Sequence, residues 1–186
     1  GDFSPAGITR WVGISARNFD ISGAALVKAF YHSKPGDTVV AVHYPVNLRE
    51  DEGYSSVYYQ HLTSTTEPDL DAIAGTVQAR VLERAERLAS VYQKEGVNFK
   101  TRVAEESLNP HVALVEDATN ATSSGDGPDT VYVGYSSRRN REKLVDPHKL
   151  YDVAEYIVRH APCNVVVVKE SQEEMAERLR MRRTDA

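Results

Sequence analysis

The densest set of anion-binding groups in the chain is Ser136-Ser-Arg-Arg-Asn-Arg141, just past Gly134 at the end of the apolar run Thr130-Val-Tyr-Val-Gly134. A glycine there lets backbone N–H groups approach a ligand closely, and hydroxyls beside planar guanidiniums match the oxygens of a phosphate. Gly134, Ser136, Ser137 and Arg138 are therefore candidate contacts for a nucleotide or small anion. Tyr44, at the end of another apolar run, would offer backbone groups to a base. The competing reading of the same loop is a solvated basic segment, paired with Glu142 or Asp146.

Other chemistries find less support. The six histidines form no pair with metal-ligand spacing, so no metal site is expected. Gly13-Ile-Ser15-Ala lacks the second glycine of a nucleophile elbow, and no Asp/His partners follow in a suitable arrangement. Cys163, the single cysteine, precedes an apolar run and reads as structural; it excludes an internal disulfide and points to a reducing compartment. No catalytic residue is assigned. Tyr54, Tyr58, Tyr59 and His61 lie in a polar stretch over residues 45–68, read as a long loop that folds back over the domain or meets a partner.

The elements that must position these residues alternate. Arg10-Trp-Val-Gly-Ile-Ser15 reads as a first strand. Ser22 can cap a helix with Ala25, Leu26, Ala29 and Phe30 on its inner face, stopped by Pro35-Gly36. Asp37-Thr-Val-Val-Ala-Val-His-Tyr44 is a second strand, apolar enough to be covered on both faces. Ile73, Val77, Val81, Ala85, Leu88 and Tyr92 mark a long helix over residues 69–95. The alternating Val97-Asn-Phe-Lys-Thr-Arg-Val-Ala104 suits an edge strand. Asn109-Pro110 opens a helix to about Thr119, and a flexible connector over 121–128 leads to the fourth strand. Asp146-Pro147 repeats the cap-and-proline start, and the fifth strand is Asn164-Val-Val-Val-Val168. That valine run is either central and buried or an edge that pairs with its twin. The prediction is an α/β fold, a doubly wound parallel five-stranded sheet with helices on both faces. It occupies residues 8–169, with a polar tail over 170–186, helical or disordered.

The chain has 186 residues, 41% hydrophobic and 26% charged, with a net charge of -5. That balance fits one soluble domain and disfavours a nucleic-acid partner. No run is long enough to span a membrane, and Gly1-Asp-Phe-Ser-Pro-Ala-Gly7 carries no signal pattern. A cytoplasmic location is expected.

Three passages resemble the universal stress protein family: Ala25-Leu-Val-Lys-Ala-Phe30 leading into Pro35-Gly-Asp-Thr-Val-Val-Ala-Val-His43; residues 79–92 running into Glu95-Gly-Val-Asn-Phe; and Val153-Ala-Glu-Tyr-Ile-Val-Arg-His-Ala-Pro-Cys-Asn-Val-Val-Val-Val168. The resemblance implies strand order 3-2-1-4-5 and a homodimer in which the fifth strands, here Asn164 to Val168, meet. Nucleotide-binding members carry an aspartate at the end of strand one and, after strand four, the pattern G-x2-G-x9-G-[S/T]. Here the aspartate position falls on Ser15, or on Arg17 without a gap; the first glycine is Gly134 and the second falls on Ser137. Anchored from Arg159-His-Ala-Pro-Cys163, the third falls on Tyr151 and its hydroxyl partner on Asp152. Asp146-Pro147 would start the last helix early, and the Asp146 carboxylate would cap the N–H groups that a phosphate needs. The expectation is a non-catalytic binding or regulatory protein of this type with no cofactor. The alternative is an ATP-binding protein with an altered phosphate loop, possessing slow hydrolysis at most, built from Ser15, Tyr44, Gly134, Ser136, Ser137 and Arg138.

Overall fold

The apolar runs form five parallel strands, and the periodic segments between them form helices, in a computed structural model that describes residues 7–16, 19–45, 70–107, 109–135 and 153–169, with tail positions 173, 176, 177 and 180. In chain order the elements are β1 (Thr9–Ile14), α1 (Phe19–His32), β2 (Thr38–His43), α2 (Leu70–Tyr92), β3 (Asn98–Val103), α3 (Pro110–Ser123), β4 (Thr130–Tyr135), α4 (Val153–His160) and β5 (Asn164–Lys169). The sheet runs β3-β2-β1-β4-β5, the doubly wound order expected.

Side chains alternate across the sheet and divide the core in two. Val12, Ile14, Val39, Ala41 and Tyr132 face α1 and α2, meeting Leu26, Ala29, Phe30, Val81 and Ala85. Trp11, Val40, Val42, Val131 and Val133 face α3 and α4, meeting Leu114, Val115, Ala118, Ala154 and Ile157. Leu26 and Phe30 are fully buried, each contributing about 1.5–3 kcal/mol of transfer free energy. Phe30 meets Phe99 of β3 edge-on, with ring centroids 5.4 Å apart. Helix α1 lies close to α2 because Gly23 has no side chain: a Cβ there would stand 3.2 Å from Phe19 and 3.3 Å from Leu88.

The turns before β2 and β3 are built alike. Gly36 and Gly96 both take positive φ, 94° and 78°, a region closed to most side chains. They are joined by a 2.8 Å bond from the Gly36 N–H to the Gly96 carbonyl, which aligns the starts of the two strands.

Several boundaries differ from the sequence reading. Helix α1 begins at Phe19, so Ser22 is not its cap but a buried residue of the first turn. Its hydroxyl lies 3.5 Å from the Phe19 carbonyl. Helix α3 runs to Ser123, a turn past Thr119, and Thr119, Thr122 and Ser123 each turn the hydroxyl back to the carbonyl four residues earlier. Pro110 occupies the first turn as expected, but the Asn109 side chain makes no capping bond. Strand β5 is an edge, pairing with β4 from Asn164↔Thr130 to Lys169↔Tyr135. The start at Asp146-Pro147 and the tyrosine-rich stretch lie outside the described residues.

Candidate functional site

In an open parallel sheet the crevice for a ligand lies at the carboxyl ends of the strands, where the strand order reverses. Here that point is between β1 and β4. Strand β1 pairs with β2 over its whole length, Thr9↔Thr38 to Ile14↔His43. With β4 it pairs only from Arg10↔Thr130 to Val12↔Tyr132, so the ladder stops short of both carboxyl ends. Beyond it stand Ser15, His43, Tyr44 and Gly134.

Each of these is engaged by the protein itself. The Ser15 N–H donates to the Ser22 hydroxyl at 3.4 Å. His43 is buried, with Nδ1 3.5 Å from the Ile14 carbonyl. Burial holds its pKa below the ordinary histidine value, against an opposing pull from that carbonyl, so the ring is neutral at pH 7. The backbone carbonyl of His43 accepts from Ala104, and that of Pro45 from Ser107, both at 2.9 Å.

The Tyr44 side chain turns away from the crevice into the α3 layer. Its hydroxyl donates to Asp117 Oδ2 at 3.2 Å, and Arg102 reaches the same oxygen at 3.4 Å. The Arg102 guanidinium also lies over the Trp11 ring, 5.3 Å from its centroid. Burial first, then the Asp117 charge, pushes the Tyr44 pKa far above the ordinary phenol value. Tyr44 is thus a structural side chain, and only its backbone is left for a base.

Gly134 sits against the first turn of α1. A Cβ at this position would stand 2.3 Å from the Ile21 carbonyl oxygen and 2.4 Å from Ile21 Cγ2. The glycine is therefore required by packing alone, whatever a ligand adds. Ser136, Ser137 and Arg138 lie outside the described residues, so the structure brings together Ser15, Tyr44 and Gly134 but does not place the other three. Among the described residues no group of three or more His, Cys, Asp or Glu side chains could hold a metal ion. Burial raises the Cys163 pKa, the reverse of what a reactive thiol needs.

The sequence reading missed a second polar cluster, at the opposite edge of the sheet. Arg10 is buried and bonds Asp37 Oδ2 through Nη1 at 2.6 Å. Asp37 also accepts the N–H groups of Ile8 and Lys34, both at 2.9 Å. Arg10 further reaches the His32 carbonyl at 3.3 Å and the Tyr132 hydroxyl at 3.4 Å. The signal was an arginine inside an apolar strand, which burial permits only with a partner.

The family model for the universal stress protein family matches residues 22–169, and the chain belongs to that family. Sequence comparison with curated proteins gives no match. Among solved structures the fold is similar to hypothetical protein MJ0577, the subject of a structure-based assignment of biochemical function, at TM-score 0.50 and 16% identity over 90% of this chain and 99% of that one. It is also similar to hypothetical protein PH0823, at TM-score 0.52 and 11% identity over 89% and 97%. A universal stress protein in complex with cAMP aligns at TM-score 0.47 and 18% identity over 89% and 99%. Among the described residues no helix is long and apolar enough to cross a membrane.

Proposed function

We propose that this protein is a binding or regulatory module of the universal stress protein type, working without catalytic turnover and without the family's usual ATP site. The observation that carries the reading is the state of the crevice between β1 and β4. The family resemblance puts Ser15, or Arg17 without a gap, where nucleotide-binding members have an aspartate; the Ser15 N–H is taken by Ser22, and the neighbouring His43 is buried and neutral. A neutral imidazole offers no charge to a triphosphate, and a serine at that place lacks the carboxylate that would accept from an adenine amine. The single cysteine in the sequence fits a cytoplasmic setting.

The module works as a homodimer in this proposal. Val167 on β5 is 44% exposed and Val158 on α4 is 52% exposed. An apolar edge strand invites pairing, and a two-fold axis through β5 would satisfy its outer backbone groups and cover these valines.

Thermal unfolding with and without ATP tests the main reading. A ligand at a hundredfold excess over its Kd stabilises the native state by about 2.7 kcal/mol. Millimolar ATP with magnesium is expected to leave the midpoint unchanged. A rise that Arg138→Ala abolishes would instead establish the altered phosphate loop of Gly134, Ser136, Ser137 and Arg138, with Tyr44 backbone groups on the base.

A further inference from the structure

The cluster at the amino-terminal edge of the sheet has a directional hydrogen-bond pattern. The Tyr132 hydroxyl, on a side chain 3% exposed, lies 2.7 Å from His32 Nδ1 and 3.4 Å from Arg10 Nε. An arginine Nε carries a proton and can only donate. The arrangement that leaves no buried polar group unpaired has the phenol oxygen accepting from Arg10 and its single proton donated to a bare His32 Nδ1. The imidazole in this arrangement is neutral, with its proton on Nε2.

A second proton would reverse the bond. His32 Nδ1 would then donate, the phenol oxygen would face two donors, and the buried hydroxyl proton would lose its acceptor. The surroundings oppose that proton too. His32 faces Lys28 from its own helix, Arg10 from β1 and Lys94 from the turn after α2. Lys94 is fixed there by the carbonyls of Tyr31 and Ser33, at 2.6 Å and 3.2 Å. The nearby carboxylate, Asp37, is already committed to Arg10 and two backbone N–H groups. The Tyr31 ring centroid lies 6.1 Å from that of His32.

We propose that His32, Tyr132 and Arg10 form an acid-sensitive latch that holds the carboxyl end of α1 to β4 and opens when His32 takes up a proton. His32 is exposed, so solvent protons reach it, whereas the bond it controls ends on a buried hydroxyl. Partial desolvation of the ring where it meets Tyr132, then the charges of Lys28, Arg10 and Lys94, lower its pKa in the folded state. The latch is complete above the free-imidazole value of about 6.5 and is lost as pH falls from there through the lower folded value. Its opening loosens the contact between α1 and the β4–β5 half of the sheet.

Two measurements on the full chain test it. Side-chain nitrogen NMR of the wild type at about pH 7.5 reads the tautomer directly, above the ordinary histidine titration. The latch requires His32 as the Nε2–H form; finding the proton on Nδ1 overturns it. Thermal midpoints are then compared between about pH 7.5 and 5.5 for wild type and His32→Asn, whose amide oxygen stands at the level of Nδ1 as an acceptor for Tyr132 but does not titrate. His43 and His111 are also held below the ordinary value, so acid lowers both midpoints, and the difference isolates His32. The wild type is expected to lose about 2 °C more than the variant. Parallel profiles overturn the latch even if the tautomer is as required.

Discussion

The Ile21 carbonyl oxygen lies 2.3 Å from where a Cβ on Gly134 would stand. Strand β4 and the first turn of α1 touch backbone to backbone at this point, and neither can yield without moving a whole element. Gly134→Ala is therefore expected to destabilise the ligand-free protein by about 1–3 kcal/mol, as overpacking does. Urea denaturation of the two proteins measures it. A change under about 0.5 kcal/mol would mean that the glycine serves only a ligand.

Arg10 and Asp37 form a buried charge pair, with side chains 10% and 8% exposed. Asp37→Ala leaves the guanidinium without its carboxylate and exposes two N–H donors, so a loss of about 3–5 kcal/mol is expected in the same denaturation measurement. The pair also shapes the acid limb of stability. Burial alone would raise the Asp37 pKa, but bonds from Lys34, Ile8 and Arg10 outweigh it and leave the carboxyl below its ordinary value. That contribution is full above the unfolded aspartate value of about 3.9 and is lost as pH falls through the lower folded value. The wild-type midpoint should drop steeply below about pH 4, and Asp37→Asn should flatten that limb.

Strand order, the edge position of β3 and the covered faces of β2 were legible from residue pattern and family resemblance, because continuous and alternating apolar runs report burial directly. Helix starts were less so. Ser22 carries a capping side chain, yet Phe19 begins α1, since burying Phe19 outweighs a local cap preference. The candidate site was half legible. Gly134 was found, but for phosphate approach, because sequence cannot show that Ile21 would lie against it. The Arg10–Asp37–His32–Tyr132 cluster was missed: its members are scattered from residue 10 to residue 132, and only the parallel register brings them to one edge.

Tyr44 tests which way its side chain serves. Its hydroxyl bonds Asp117 in the α3 layer, so Tyr44→Phe should cost about 0.5–1.5 kcal/mol of stability while leaving any ligand binding at the crevice unchanged. Paired denaturation and binding measurements separate the two. A loss of binding without a loss of stability would put the phenol in the crevice.

The fifth strand carries the dimer proposal. Val167 is the exposed valine of β5, whereas Val166 packs toward the core, so Val167→Asp perturbs the edge without opening the interior. Sedimentation should show a wild-type dimer and a folded, monomeric variant. A wild type that sediments as a monomer would refute the fifth-strand interface.

Whether the crevice between β1 and β4 takes a nucleotide is read by calorimetric titration with ATP. The protein is first freed of any co-purified nucleotide, then titrated with and without magnesium. No binding heat and no bound nucleotide are expected in either condition. Micromolar binding, about 8 kcal/mol of association free energy, would contradict this expectation and show that this chain has rebuilt a phosphate site without the usual aspartate.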